Sequence, residues 1–291
     1  MKPSFSEFIT VRNLRYHIRQ WGEPGAPKVF LLHGWMDISA SFQFLVDCFK
    51  RDWHVIAPDW RGFGLTQTPN TDTYWFPDYL GDLDAILRHY AAGESVNLVG
   101  HSMGGNAASL YAGVRPARVH RLANLEGFGM PATHPAQAPG RYAKWLDELR
   151  DPPVMRTYPT QADVARQLQK TNPRLSDARA EFLSGHWARQ NAAGTWEILG
   201  DAAHKGTNPV LYRIDEATAC WQAISAPVLW VEAEDTDAWR WLGPKDEARI
   251  EINRRIHFIP QVTTATIADA GHMLHHDQPQ QLASLLEDFL S

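Results

Sequence analysis

Ser102 is the residue in this 291-residue chain whose setting most suggests nucleophilic chemistry. It lies in "NLVGHSMGGNAASLY" (97–111), where an apolar run meets a serine between Gly100 and Gly104 and continues as a helix-like segment. A G-x-S-x-G sequence between strand and helix makes a turn so sharp that side chains two residues either side of the serine would collide. The hydroxyl then stands above the sheet, and the free N–H groups of the helix start face developing negative charge. A serine there could instead do no more than cap the helix. The short motif therefore needs chemical partners.

A serine hydroxyl is a weak nucleophile until a base takes its proton. Of 13 histidines, His272 is the best placed, in "ATIADAGHMLHHDQP", between the last strand-like run and the final helix. Loops at the carboxyl ends of parallel strands gather on one edge of a sheet, which brings His272 to the edge that carries Ser102. The nearby His275, His276 and Asp277 have no distant ligand partner, so they read as a solvated lead-in to the last helix rather than a metal centre. No metal and no cofactor is expected. An acid must orient the base. Asp235 and Asp237 follow the strand-like "VLWVEAE", and Glu126 ends "LANLE"; each sits at the carboxyl end of a strand and could approach His272. Glu232 and Glu234 belong to the strand and its rim. Two donors are needed for an oxyanion, and the N–H groups of Met103 and Trp35 suit that role. His33, two residues before Trp35, reads as a structural brace of its loop.

The elements that must position these groups alternate. "FITVRNLRYHIRQWG" suggests a hairpin turning at Asn13, and "KVFLLHG", "WHVIAPD", "SVNLVG" and "RLANLEG" read as strands buried on both faces. Leu80, Leu83, Ile86 and Leu87 recur at helical spacing, and "PQQLASLLEDFL" closes the chain as an amphipathic helix. Strands alternating with helices predict an α/β fold with a doubly wound, mostly parallel sheet. Residues 130–220 break the pattern: they contain "MPATHPAQAPG" and helix-like runs, and no strand of the earlier kind. The expected organisation is a core from 1–129, a helical cap insertion over 130–220 and a second core part over 221–291.

Composition narrows the function. A net charge of −5 argues against a nucleic-acid partner, and no apolar run is long enough to span a bilayer. Neither a secretory leader nor a disulfide framework is evident, with two cysteines only, which suits the reducing cytoplasm. The expected partner is a small-molecule substrate, for a monomer or homodimer. Neither a Walker-type phosphate loop nor a dinucleotide fingerprint is present.

Taken together, "HGW", "DWRGFG" (59–64), "GHSMGG" and "DAGH" occur in the order found in the α/β-hydrolase superfamily, which the chain resembles over nearly its whole length. The resemblance implies an α/β-hydrolase fold: an eight-stranded, mostly parallel sheet with a cap roofing the site. Haloalkane dehalogenases and epoxide hydrolases of this fold carry aspartate at the elbow, so Ser102 argues against both. "NLEGFGMP", however, is similar to the dehalogenase segment whose glutamate orients the base, which raises the standing of Glu126. In the commoner family pattern the acid follows the next strand, in a G-x-x-D setting; this chain has Ala233 and Thr236 at those two positions, with Asp235 and Asp237 on either side of Thr236. On this resemblance Asp235 is preferred as the acid, with Glu126 and Asp237 as alternatives.

The chain has 12 tryptophans, an unusual number. Most are expected to pack cap against core. Trp35, His101, Trp145 and Trp187 are the candidates for substrate contact, and Trp239 and Trp241 follow the acid-bearing loop. An aromatic lining favours an apolar or aromatic group. The leading reading is a serine hydrolase that cleaves a small carboxylic ester through an acyl-enzyme, a carboxylesterase-like activity. Carbon–carbon bond hydrolysis, or cofactor-free lyase or oxygenase chemistry, is the alternative, and a non-catalytic binding module is the third reading.

Overall fold

The computed structural model describes residues 1–291. Its centre is an eight-stranded sheet. β1 (Ser4–Val11) and β2 (Leu14–Trp21) form the expected hairpin, with Arg12 and Asn13 at positive φ in the turn. β3 (Lys28–Leu32), β4 (His54–Pro58), β5 (Val96–His101) and β6 (Val119–Leu125) follow, with α1 (Gln43–Cys48), α2 (Pro77–Tyr90) and α3 (Met103–Val114) between them. After a long insertion come α7 (Ile214–Gln222), β10 (Val228–Ala233), α8 (Lys245–Ile256), β11 (Val262–Ile267), α9 (Leu274–Asp277) and α10 (Pro279–Leu290). The strand order is β1-β2-β4-β3-β5-β6-β10-β11. Only β2 pairs antiparallel to its neighbours; every other pair is parallel.

The continuous apolar runs are explained by two cores, one on each face. Alternate residues divide between them: Phe30 and Leu32 pack with Leu83, Ile86 and Tyr111 on one side, and Val29 and Leu31 with Leu45, Leu282 and Leu286 on the other. Burial of this apolar area, at about 25 cal/mol per Å2, drives the assembly.

The insertion is not purely helical, contrary to expectation. It contains α4 (Ala138–Arg150), α5 (Gln161–Thr171) and α6 (Asp177–Trp187), together with a small antiparallel sheet of β7 (Thr157–Tyr158), β8 (Ala188–Gln190) and β9 (Trp196–Ile198) in the order β7-β9-β8. These strands, of two or three residues, are too short to show a period of two. The expected boundary at 220 also falls inside α7. That helix lies so close to α3 that a Cβ on Gly113 would sit 1.8 Å from the Cys220 carbonyl oxygen, and Trp221 is fully buried in the core.

The cap docks through backbone and aromatic contacts. Gly64 N donates to Leu199 O (2.8 Å) and Asp201 N to Gly62 O (2.8 Å). His204 is sandwiched between the rings of Phe63 (3.7 Å) and Tyr74 (3.5 Å). At the cap's first stem, Arg255 Nη1 donates to Phe128 O (2.7 Å) from α8. No helix is long and apolar enough to cross a membrane.

Candidate active site

Ser102 sits between β5 and α3 with φ 50° and ψ −115°, a strained conformation for a residue bearing a side chain. The neighbouring glycines make that bend possible. A Cβ on Gly104 would lie 2.1 Å from Leu32 O, and one on Gly100 2.4 Å from Gly104 O. The bend is held by Ser102 N donating to Leu125 O (2.8 Å). The hydroxyl makes no capping hydrogen bond to the helix, which removes the simple capping role. Nor does it hydrogen-bond to His272 in the resting arrangement; His272 bonds through its other ring nitrogen. Such contacts commonly tighten only when substrate is bound.

His272 lies after β11 on the same edge. Its Nδ1 is 3.1 Å from Glu126 Oε2. The loop is joined to the elbow by His101, whose Nε2 donates to His272 O (2.8 Å) and whose ring centroid lies 4.8 Å from that of His272. Trp241 stands edge-on to the His272 ring at 5.0 Å, a contact that the sequence did not single out.

Glu126 directly follows β6, at φ 59° and fully buried. Its Oε1 accepts from Ala233 N (2.7 Å) and its Oε2 from the Thr236 hydroxyl. Burial pushes the carboxyl up to about 8, against the downward pull of the Thr236 and Ala233 hydrogen bonds. Burial likewise pushes His272 down to about 4, with Asp237 acting the other way and Arg240 adding to the depression. A neutral imidazole is the form that accepts a proton.

The preferred acid is thus corrected: it is Glu126, not Asp235, that meets the base. Asp235 has a side chain 54% exposed and pairs with Arg174 of the cap (2.6 Å). Asp237 pairs with Arg240 (2.6 Å) at the surface. Asp235 lies in the turn that follows β10 and Asp237 just after it, and their charges are better solvated there than beneath the sheet edge.

On the oxyanion side, Met103 is the first residue of α3, so its N–H has no intrahelical acceptor. Gly34 packs against the nucleophile: a Cβ there would be 3.2 Å from Ser102 Cβ. That close approach brings the Trp35 loop to the elbow. His33 is a brace, as expected. Its Nε2 accepts from Trp60 N (2.8 Å), and burial lowers its pKa. Behind it, the D-x-R-G-x-G turn is tied by Arg61, which donates through Nε (2.5 Å) and Nη2 (2.6 Å) to the buried Asp82.

The candidates for substrate contact divide. Trp35 is 53% exposed, with Nε1 donating to His204 O (3.3 Å). Trp187 Nε1 donates to Met36 O (2.9 Å), fastening the cap to the oxyanion loop. Trp145 lies half-buried on α4, with its indole nitrogen unpartnered. His101 is corrected: it is fully buried behind the nucleophile and faces His272 and His275, not the substrate side. His275 and His276 are corrected too, being 0% and 5% exposed rather than solvated. Ser41 Oγ lies within hydrogen-bond distance of both rings.

A family model described as alpha/beta hydrolase fold matches residues 27–279. The chain belongs to this family. Among its relatives is a serine hydrolase-like protein of Danio rerio, 26% identical over 93% of this chain and 83% of that one. A protein of Bacillus subtilis (strain 168) with the provisional name 2-succinyl-6-hydroxy-2,4-cyclohexadiene-1-carboxylate synthase is 29% identical over 97% of both chains. The thioesterase domain from the curacin biosynthetic pathway superimposes with a TM-score of 0.86 at 22% identity, over 98% of this chain and 99% of that domain. This last likeness is one of fold.

Proposed function

We propose that the protein is a serine hydrolase that cleaves a small, apolar or aromatic carboxylic ester through an acyl-enzyme. The observation that carries this reading is the buried Glu126–His272 pair at the sheet edge that bears the strained Ser102. Ser102 Oγ attacks the ester carbonyl carbon as its proton passes to His272 Nε2. Glu126 holds the ring through Nδ1 and stabilises the imidazolium that forms. The N–H groups of Met103 and Trp35 receive the negative charge on the carbonyl oxygen. Collapse breaks the carbon–oxygen bond, and His272 returns the proton to the leaving alcohol. Water repeats the sequence on the acyl-enzyme, releasing acid and regenerating Ser102. The exposed Trp35 and the cap residue Trp187 support an apolar acyl or alcohol group.

The test is a fluorophosphonate probe together with short p-nitrophenyl esters. Labelling at Ser102 and ester turnover are expected, and both should vanish in Ser102→Ala. A folded wild type that neither labels nor turns over any ester would overturn the reading. A second reading on the same residues is carbon–carbon bond hydrolysis or lyase chemistry, and it is kept because the Bacillus relative is named a synthase rather than an esterase. Turnover of a vinylogous dienoate without ester turnover would select it.

A further inference from the structure

We propose that Asp37, His101 and His275 form a buried binding site for a divalent first-row transition metal. One potential ligand atom from each residue lies within 4.8 Å of the others. The three come from separate places in the fold. Asp37 is on the loop after β3, His101 ends β5, and His275 is in α9. All three are buried, and three of their polar atoms have no partner: Asp37 Oδ2, His101 Nδ1 and His275 Nδ1. Buried polar atoms are nearly always paired, so an orphan on each of three neighbouring side chains calls for an occupant.

The hydrogen bonds fix what kind of occupant. A carbonyl oxygen can only accept, so His101 Nε2, 2.8 Å from His272 O, carries the ring's proton. In the neutral ring Nδ1 is then a bare lone pair with no donor facing it. Asp37 Oδ2 is an acceptor as well, 3.7 Å from His275 Nε2. His275 Nε2 is also 3.0 Å from Ser41 Oγ. The cluster is therefore rich in acceptors and holds a buried carboxylate, which a cation would satisfy. Two imidazoles with one carboxylate suit zinc, cobalt, nickel or ferrous iron, whereas calcium and magnesium prefer oxygen ligands throughout. Nitrogen and oxygen ligands bind zinc at about 2.0–2.2 Å, so side-chain rotations must draw the three residues inward. The proposal does not depend on the ester reading, although the His101–His272 contact would make an occupied site felt at the base.

Chelator-treated, full-length protein titrated with Co(II) provides the test, with uptake counted by native mass spectrometry. One cobalt per chain is expected, with a visible ligand-field absorption that Zn(II) abolishes. Either His275→Ala or Asp37→Asn should weaken binding by a factor of at least ten, while His120→Ala, at an exposed histidine, should leave it unchanged. Asp37→Asn preserves shape and keeps the test open should His275→Ala fail to fold. Failure of folded wild type to take up cobalt would overturn the proposal, leaving water or a shared proton as the occupant. So would a cobalt band that survives in both His275→Ala and Asp37→Asn.

Discussion

Thr236 donates its hydroxyl to Glu126, the carboxylate that meets His272. The residue standing where the commoner pattern of the family has its acid thus supports an acid supplied by the adjacent strand. β6 and β10 pair in parallel, so the ends of both strands reach the same edge of the sheet. Only the chain that leaves β6 turns its carboxylate beneath the base.

This arrangement separates two substitutions. Glu126→Gln should lower kcat by roughly 10³- to 10⁴-fold with little change in KM, because the imidazolium loses its counter-charge and the ring its tautomer. Asp235→Asn removes only an exposed pair with Arg174 and should leave kcat within about twofold of wild type. Steady-state kinetics with a p-nitrophenyl ester checks both, and the reverse ranking would return the role to Asp235.

Thr236→Val is the finer test of the same relationship. The hydroxyl lowers the Glu126 pKa, so its loss leaves the buried carboxyl harder to ionise. A fall in kcat of about 10- to 100-fold is expected, the range for groups that orient a reacting residue through another. Thr236→Ser should restore most of it.

The pH dependence follows from burial. A base acts in its neutral form, and His272 is pushed down to about 4, below the ordinary 6.5. The active pair also needs Glu126 ionised beside that neutral ring, and burial pushes the carboxyl up to about 8. On chelator-treated protein the acid limb of kcat/KM should therefore belong to the pair and lie above 4, falling tenfold per unit below it. A limb at or below 4 would mean that turnover does not need Glu126 ionised.

Stability carries its own pH signature at the cap. His204, stacked between Phe63 and Tyr74, is pushed down to about 3 by burial. Below 6.5 the unfolded chain takes up a proton that the folded chain refuses. The contribution of this residue is thus complete above 6.5 and is lost as pH falls from 6.5 towards 3. Thermal midpoints measured across that window should decline less steeply in His204→Phe, which keeps the stack and removes the titration.

Much of this was legible in the sequence. "KVFLL" and "VNLVG" read as buried strands because no polar residue interrupts them, and Ser102 and His272 were placed by the order of their motifs. The acid was not legible, because three carboxylates end two neighbouring strands, and only packing decides which one turns inward. Nor was the burial of His275 and His276, since a four-residue helix has too few positions to display an apolar face. Trp221 shows the limit of counting aromatics: it lies beside the cap in sequence and in the core in space.

Arg255 grips the Phe128 carbonyl two residues after Glu126, at the root of the cap. The same few residues carry the proton-transfer machinery and the first stem of the roof. Exchanging the cap for that of a relative, to alter which molecules are accepted, would therefore require a graft junction downstream of Gly129, with Arg255 retained. A cut made nearer the strand would trade away turnover along with selectivity.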